Sequence, residues 1–466
     1  MSKKAINNEY KYGFSDNVKS FIEVKKGISR DLVKEISLLK NEPNWMTTLR
    51  LKSFDEFKKI DNPKWGPDLK KYINFDNYTY YIKSTKKPEN DWKKIPKVIK
   101  ETFNRVGIID AEKEFLAGVS TQYESEVVYH KLEKELEELG VIFTDTDSAL
   151  KNYPDLFKQH FASIVPSGDN KYSALNTAFW SGGSFIYIPK NVKLSKPLQS
   201  YFRINAKNMG QFERTLIIAD ENSELHYIEG CTAPTYQNDL LHAAVVEIIV
   251  HKNAKVRYTT IQNWSDNVIN LVTKRAFVYE NGLMEWIDGN IGAHINMKYP
   301  SCILAGEYAK GYTLSIAIAK KNTIIQDTGA RMIHLANNTK SNIISKSISY
   351  NGGEVNYRGK IFISKNVKNA DAKSSCDTLL LDNISRSSTI PVNVCNSSDS
   401  KIDHEAKVYE LNEEEIYYLT SRGIPKQEAI KMITLGFLET FSKELPMEYS
   451  VELNQLIKLD MEGSIG

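Results

Sequence analysis

Asn222-Ser-Glu-Leu-His-Tyr227 returns as Asn253-Ala-Lys-Val-Arg-Tyr258 and again as Asn281-Gly-Leu-Met-Glu-Trp286, at offsets of 31 and 28 residues. Each copy reads asparagine, a small or flexible residue, a variable one, an apolar one, a charged residue or histidine, and an aromatic ring. Asparagine tolerates the left-handed turn conformation, and the alternation after it builds a strand with one buried face. Repeats of about 20 to 50 residues mark solenoids. A β-solenoid suits this one, because every coil covers the edge of its neighbour. The competing architecture is a β-sandwich, whose hairpins favour two-residue Asn-Gly turns. Only Asn281-Gly282 and Asn351-Gly352 fit that pattern.

Outward from the repeat, short β-rich runs continue from about residue 164 to 402, among them Phe185-Ile-Tyr-Ile188, Val245-Val-Glu-Ile-Ile-Val250 and Tyr312-Thr-Leu-Ser-Ile-Ala-Ile318. The chain before them reads as mainly helical over residues 1–163. Ser29 is placed to cap a helix carrying Leu32, Val33, Ile36 and Leu39 on one stripe. Tyr129 to Gly140 shows a similar pattern, and the Lys-, Pro- and Tyr-rich stretch from about 62 to 98 reads as an irregular arm or a poorly ordered loop. Residues 403–466 read as a C-terminal helical domain. In it Asn412 caps one helix, and Ile430, Ile433, Phe437 and Phe441 stripe another. A piece that small buries little by itself, so part of the stripe is expected to meet a partner.

Bulk properties narrow the function classes. The 466 residues are 41% apolar and 11% aromatic, which supports a folded core. A net charge of +3 is small for this length and argues against nucleic acid as the main partner. No apolar run reaches the roughly 18 residues of a membrane helix, and the start Met1-Ser-Lys-Lys-Ala-Ile-Asn-Asn-Glu lacks an apolar signal core. Basic residues are mostly lysine, and Asn and Ile are frequent, a bias that an AT-rich genome encodes. There is no Walker A sequence, no Gly-x-Gly-x-x-Gly and no Gly-x-Ser-x-Gly elbow, so the common nucleotide and hydrolase signatures are missing.

What remains is a set of soft ligands. The four cysteines are Cys231, Cys302, Cys376 and Cys395, with no Cys-x-x-Cys pair, so no self-contained zinc or ferredoxin site is written here. Cys231 lies in Glu229-Gly-Cys-Thr232, read as a turn just past a strand. It is either a reachable thiol or a buried structural one. Cys302 precedes apolar residues and reads as core. Cys376, between Ser374-Ser375 and Asp377, has a hydrophilic setting that suits a metal ligand. His404 lies between Asp403 and Glu405, which is either a surface feature or, at a turn, a convergent ligand group. Arg203 and Asn205 share one strand face, as do Gln262 and Trp264. If those faces point inward, they are buried polar groups that need partners.

These residues resemble a known family. Ser200-Tyr-Phe-Arg-Ile-Asn205, Gly210-Gln-Phe-Glu-Arg-Thr215, Tyr227-Ile-Glu-Gly-Cys-Thr-Ala-Pro234, Leu241-His-Ala-Ala-Val-Val246, Gln262-Asn-Trp264, Val272-Thr-Lys-Arg275, Lys298-Tyr-Pro-Ser-Cys-Ile-Leu304 and Asp403-His-Glu-Ala406 are similar to those of SufB, the scaffold subunit of the Suf iron–sulfur cluster assembly system in the SufB/SufD family. Tyr10-Lys-Tyr-Gly-Phe14 and Asn41-Glu-Pro43 belong to the same match. The resemblance implies a mainly β fold, a right-handed parallel β-helix with helical flanks. It implies a non-enzymatic scaffold that accepts persulfide sulfur and builds a nascent cluster in a SufB–SufC–SufD complex. SufC is the ATPase, bound through the C-terminal helices, and a SufE-type donor with its cysteine desulfurase brings the sulfur to be passed on to carrier proteins. By resemblance Cys231 is the sulfur acceptor, Arg203, Asn205, Gln262, Trp264 and Lys274 line a sulfur route, and Cys376, His404 and Glu405 hold the nascent iron–sulfur cluster. Lys274 or Arg203 is expected to favour the Cys231 thiolate. Reduced flavin is also implied as a ligand, without a sequence signal for it.

Asp403 stands where many members carry Glu, and the stretch between Trp264 and Val272 is shortened. The composition and the Tyr-Lys-Tyr-Gly-Phe start point to a plastid or apicoplast stroma, with a bacterial cytoplasm as the alternative. Two rival functions follow from the same fold. One is a carbohydrate-active β-helix enzyme, for which acid ladders and a secretory signal are missing. The other is a structural, SufD-like partner with no site of its own.

Overall fold

The computed structural model describes residues 14–16, 20–86, 88–105, 116–237, 239–321 and 325–445. Tyr10–Gly13 of the resemblance and residues 446–466 of the C-terminal region lie outside them.

The repeat is the rung of a parallel β-solenoid. Asn222, Asn253 and Asn281 take φ values of 60°, 58° and 52°, the left-handed corner that asparagine tolerates best after glycine. Their side chains also bond one another. Asn253 Nδ2 donates to Asn222 Oδ1 at 2.9 Å and Asn281 Nδ2 to Asn253 Oδ1 at 2.8 Å. The strands that follow, Glu224–Thr232, Lys255–Trp264 and Leu283–Gly292, pair in parallel, so that Tyr227, Tyr258 and Trp286 fall in one column. Their rings lie 4.9 Å and 5.3 Å apart. Replacing Asn253 with alanine should cost roughly 1–2 kcal/mol through the left-handed corner alone, while Asn253→Gly should recover most of that loss. Urea unfolding of the two variants decides it.

Two sheets of ten and eleven strands wind along the solenoid. This parallel pairing excludes the sandwich. Antiparallel pairing appears where Gly118–Tyr123 meets Glu126–Leu132 and Ile142–Asp145 meets Ser184–Ile188, which closes the N-terminal end. The expected helix over Tyr129–Gly140 is therefore half wrong. Val127, Val128 and Tyr129 are buried in a strand, and only Lys134–Glu138 is helical. β-branched and aromatic residues beside a waiting strand outweighed the helical spacing. The stretch from about 62 to 98 is irregular as expected, with the short turns Phe75–Asn77 and Trp92–Lys94 and the two-residue strand Ile82–Lys83.

Ahead of the solenoid, Ser29 Oγ accepts from Leu32 N at 3.1 Å and caps Arg30–Leu39. At the far end the sheet runs to Glu410, so Asp403, His404 and Glu405 belong to the last strand, Lys401–Glu410, and helices begin at Glu413. The terminal strands Arg386–Cys395 and Lys401–Glu410 expose Val392, Val394, Val408 and Tyr409. The helix Lys426–Glu444 folds back along the solenoid. Phe441 and Leu438 are fully buried in a cluster with Ile261, Ile287 and Ile316, and Arg257 Nη1 reaches Glu444 Oε2 at 3.1 Å. Much of the stripe expected to meet a partner is thus used internally. What stays exposed on the C-terminal helices is Tyr417, Tyr418 and Met432.

Candidate functional site

Along the strand Glu224–Thr232 the inward face changes from ring to polar. After Tyr227 come Glu229 and Cys231, at alternate positions on one face. Parallel register carries the change through the next rungs: Glu229 lies beside Thr260 and Asp288, and Cys231 beside Gln262 and Asn290. The other sheet answers with His242, Asn270 and Asn296 in one column and with Lys274 and Lys298. Asn270 Nδ2 donates to Gln262 Oε1 at 2.9 Å, and Lys298 Nζ to the same oxygen at 3.2 Å. Lys274 and Lys298 each reach Asp288 Oδ1 at 3.2 Å. A polar network therefore fills the interior where apolar packing would be cheaper.

Cys231 is inside the strand, not in a turn. Pairing with Phe202 on one side and Gln262 on the other carries the strand past it, leaving it 1% exposed. Its Sγ stands 3.9 Å from Glu229 Oε1. Glu213, Glu229 and Cys231 each bring a potential ligand atom within 4.8 Å of the others. Glu229 Oε2 accepts from the Tyr258 hydroxyl, and Glu213 Oε1 pairs with His242 Nε2 at 2.8 Å. Burial pushes the Cys231 thiol well above its ordinary value, Glu229 and Glu213 add to the rise, and Lys274 and Lys298 oppose it without prevailing. Lys274 favours the thiolate as expected, but burial and the two carboxylates outweigh it, and Arg203 is not among the groups that act on this thiol most strongly. Burial also raises Glu213, although His242 opposes it. For His242 burial works against the charge, but Glu213 outweighs it and raises the imidazole. Burial brings Lys298 down to about 8. Asp288 would rise by burial, yet Lys274 and Lys298 hold it below the usual carboxylate range.

The remaining sequence candidates divide. Gln262, Trp264 and Lys274 join this interior. Trp264 packs in the same cluster as Cys231 and Phe202, with its ring 4.9 Å from His242. Arg203 and Asn205, both buried, tie down the N-terminal segment. Arg203 sits 4.5 Å over the Phe14 ring and donates to Thr232 Oγ1 at 3.1 Å, while Asn205 Nδ2 donates to the Asp16 carbonyl at 2.9 Å. Cys376 faces inward at the far end, 3% exposed, and burial lifts its thiol to about 11. His404 pairs with Ser374 and so shares Cys376's face, whereas Glu405 pairs with Ser375 on the opposite face and bonds Lys407 at 2.5 Å. Cys376, His404 and Glu405 do not gather as closely as the Cys231 group. Cys302 is buried core as expected, and Cys395 is exposed.

Glu213, Glu229, His242, Asp288 and Lys298 were not singled out. One local signal existed for Glu229, two residues before Cys231 on a strand. The rest come from other rungs. The thiols differ enough to measure: at about pH 8 an alkylating reagent should modify Cys395 readily and Cys231, Cys302 and Cys376 only once denaturant is added. Cys231 labelling as fast as Cys395 in the folded chain would show an open site.

Residues 202–437 match the model of the SUF system FeS cluster assembly SufBD core domain, and residues 33–200 that of the SufBD protein N-terminal region. An iron–sulfur cluster assembly SufBD family protein of Staphylococcus aureus (strain MRSA252) is 60% identical over 467 residues, covering 100% of both chains. One of Staphylococcus haemolyticus (strain JCSC1435) is 59% identical over the same span and coverage. These relatives are bacterial. They lend no support to a plastid or apicoplast origin, or to a flavin, and the lysine-rich composition is what an AT-rich genome of any origin encodes. Among the described residues no helix is long and apolar enough to cross a membrane.

Proposed function

The chain belongs to the SufBD family of iron–sulfur cluster assembly proteins, and from that premise we propose that it is the scaffold subunit, of the SufB kind, on which a cluster is built in the bacterial cytoplasm. The observation that carries this reading is the buried thiol of Cys231 at one end of a polar interior. A purely structural partner of the SufD kind has no use for a costly polar lumen ending on a thiol.

In the proposed reaction Cys231, as thiolate, attacks the outer sulfur of a donor cysteine persulfide. A new S–S bond forms at Cys231, the donor's S–S bond breaks, and the donor leaves as its thiolate. Two electrons from a dithiol-type reductant would then release the outer sulfur as sulfide and return Cys231 to the thiol, and the side chains of Gln262, Lys274, Asn270 and Lys298 offer that anion donors along the interior. Cys376 and His404 receive it near the open end. There the exposed strands Arg386–Cys395 and Lys401–Glu410 suit docking of a second solenoid, the SufD-type partner, which would complete the ligand set in place of Glu405, whose side chain lies on the opposite face. The thiol is held protonated at rest, so transfer needs a change around it. The helix Lys426–Glu444 packs on the outer faces of the strands whose inner faces carry Gln262 and Asp288. An ATPase of the SufC kind gripping Tyr417, Tyr418 and Met432 would pull on those strands and alter the thiol's surroundings.

The test is anaerobic reconstitution with iron and sulfide in the presence of SufC and SufD, read by visible absorption and Mössbauer spectroscopy. A cluster signal in the natural chain that falls at least several-fold in Cys376→Ala supports the scaffold reading. No cluster under any condition moves the chain to the structural-partner role.

A further inference from the structure

We propose that Glu213, Glu229 and Cys231 form a site for one divalent cation of the ferrous type inside the solenoid, beside the sulfur-accepting thiol. Their ligand atoms lie within 4.8 Å of one another. A tetrahedral ion with sulfur at ~2.3 Å and oxygen at ~2.1 Å holds those two atoms ~3.6 Å apart, and Cys231 Sγ and Glu229 Oε1 stand 3.9 Å apart. For that pair, closing on an ion asks for a shift of a few tenths of an ångström.

The carboxylates are arranged as ligands are. Each spends one oxygen on an orienting donor, Glu213 Oε1 on His242 and Glu229 Oε2 on Tyr258. Outer partners of this type fix and tune metal-binding carboxylates. His242 is itself held from behind, with Nδ1 2.6 Å from Asn270 Oδ1. The second oxygen of Glu213, Oε2, is fully buried and has no hydrogen-bond partner, a cost that a bound cation removes. The two nearby lysines make their ion pairs with Asp288 rather than with Glu213 or Glu229. One thiolate with two carboxylates suits a borderline ion such as Fe(II), Co(II) or Zn(II) better than Mg(II) or Ca(II). On binding, the thiol gives up its proton to water and the sulfur bonds the ion, so one proton is released per ion. A cation there also reverses the electrostatics that keep the thiol protonated. Iron and sulfur would then meet at Cys231, ahead of the open end. Only the identity of the natural ion as iron rests on the scaffold reading; the binding itself does not.

The probe is Co(II), added anaerobically to the reduced full-length chain and left to equilibrate with the enclosed site. The expected result is one equivalent bound with a near-ultraviolet thiolate-to-cobalt band, retained in Cys395→Ser and lost in Cys231→Ser. Glu213→Gln and Glu229→Gln should each weaken binding at least tenfold. Circular dichroism and thermal midpoints confirm that the variants are folded. If Glu213→Gln is not, Glu229→Asp, which keeps the charge and shortens the reach, takes its place. No charge-transfer band, or a band that survives in Cys231→Ser, overturns the site. Persulfide capture is scored on the same proteins to separate the two readings. A Glu213→Gln chain that takes sulfur but not Co(II) upholds a distinct metal site. A natural chain that takes sulfur normally but never binds Co(II) overturns the site and leaves the scaffold reading standing.

Discussion

Cys231→Ser is expected to reduce sulfur capture to background, on the order of 100-fold or more, while the chain folds as before. A hydroxyl lacks the low-lying nucleophilic sulfur that attacks a persulfide, and it forms no stable bond to the sulfur transferred. The substitution removes little volume at a position flanked by Phe202 and Gln262, and the hydroxyl keeps Glu229 as an acceptor. A structural role would show in stability and not in sulfur content. The measurement is the mass gained by the intact chain after anaerobic incubation with a persulfide donor, its desulfurase and the SufC-type ATPase with ATP. A serine variant that gains sulfur like the natural chain would remove Cys231 from the acceptor role and leave Cys376 as the next candidate.

Glu247→Ala should be the most damaging change outside the site, costing about 3–5 kcal/mol. Glu247 and Arg214 have fully buried side chains, 2.6 Å apart. The carboxylate also accepts from the backbone of Ala162 at 3.0 Å and of Ile164 and Val165 at 2.9 Å. Alanine therefore strands a buried guanidinium and three backbone N–H groups together. Arg214 keeps only its bonds to Val165 O, Thr177 Oγ1 and Asn176 Oδ1. The strand Arg214–Ala219 begins directly after Glu213, so the same change should loosen the Cys231 group. Urea unfolding followed by circular dichroism gives the stability loss. A loss below about 1 kcal/mol would mean that water reaches the pair.

The two predictions fall on either side of what the chain reveals unaided. The solenoid was legible because its requirements are local and repeat over three successive rungs, before Tyr308 takes the next corner: an asparagine at the left-handed corner, an alternating strand after it, and a ring at a fixed distance. Asn222, Asn253 and Asn281 satisfy them one after another, and the parallel register follows. Ser29 and Asn412 marked helix starts for the same reason. Tyr129–Gly140 was misread because its apolar spacing fits a helix and a strand alike, and the neighbouring strand made the choice.

The site was legible only in part. The motif around Cys231 drew attention to the thiol, and Gln262, Trp264 and Lys274 proved to lie in the same interior. Whether that thiol is free or protonated depends on what faces it across the lumen, and no sequence distance encodes this. Glu213 and His242 come from the opposite sheet, Lys298 and Asp288 from later rungs. Helix Lys426–Glu444 had the apolar stripe of a partner-binding element, yet the solenoid's own Ile261 and Ile287 claimed much of it. The sequence by itself determined the coil, because period and corner conformation are properties of short segments. Only the tertiary structure decided the chemistry, because it brings the Glu213 carboxylate, from just before the strand Arg214–Ala219, within 4.8 Å of Glu229 and Cys231 on the strand Glu224–Thr232, in a buried interior where charge interactions are strong.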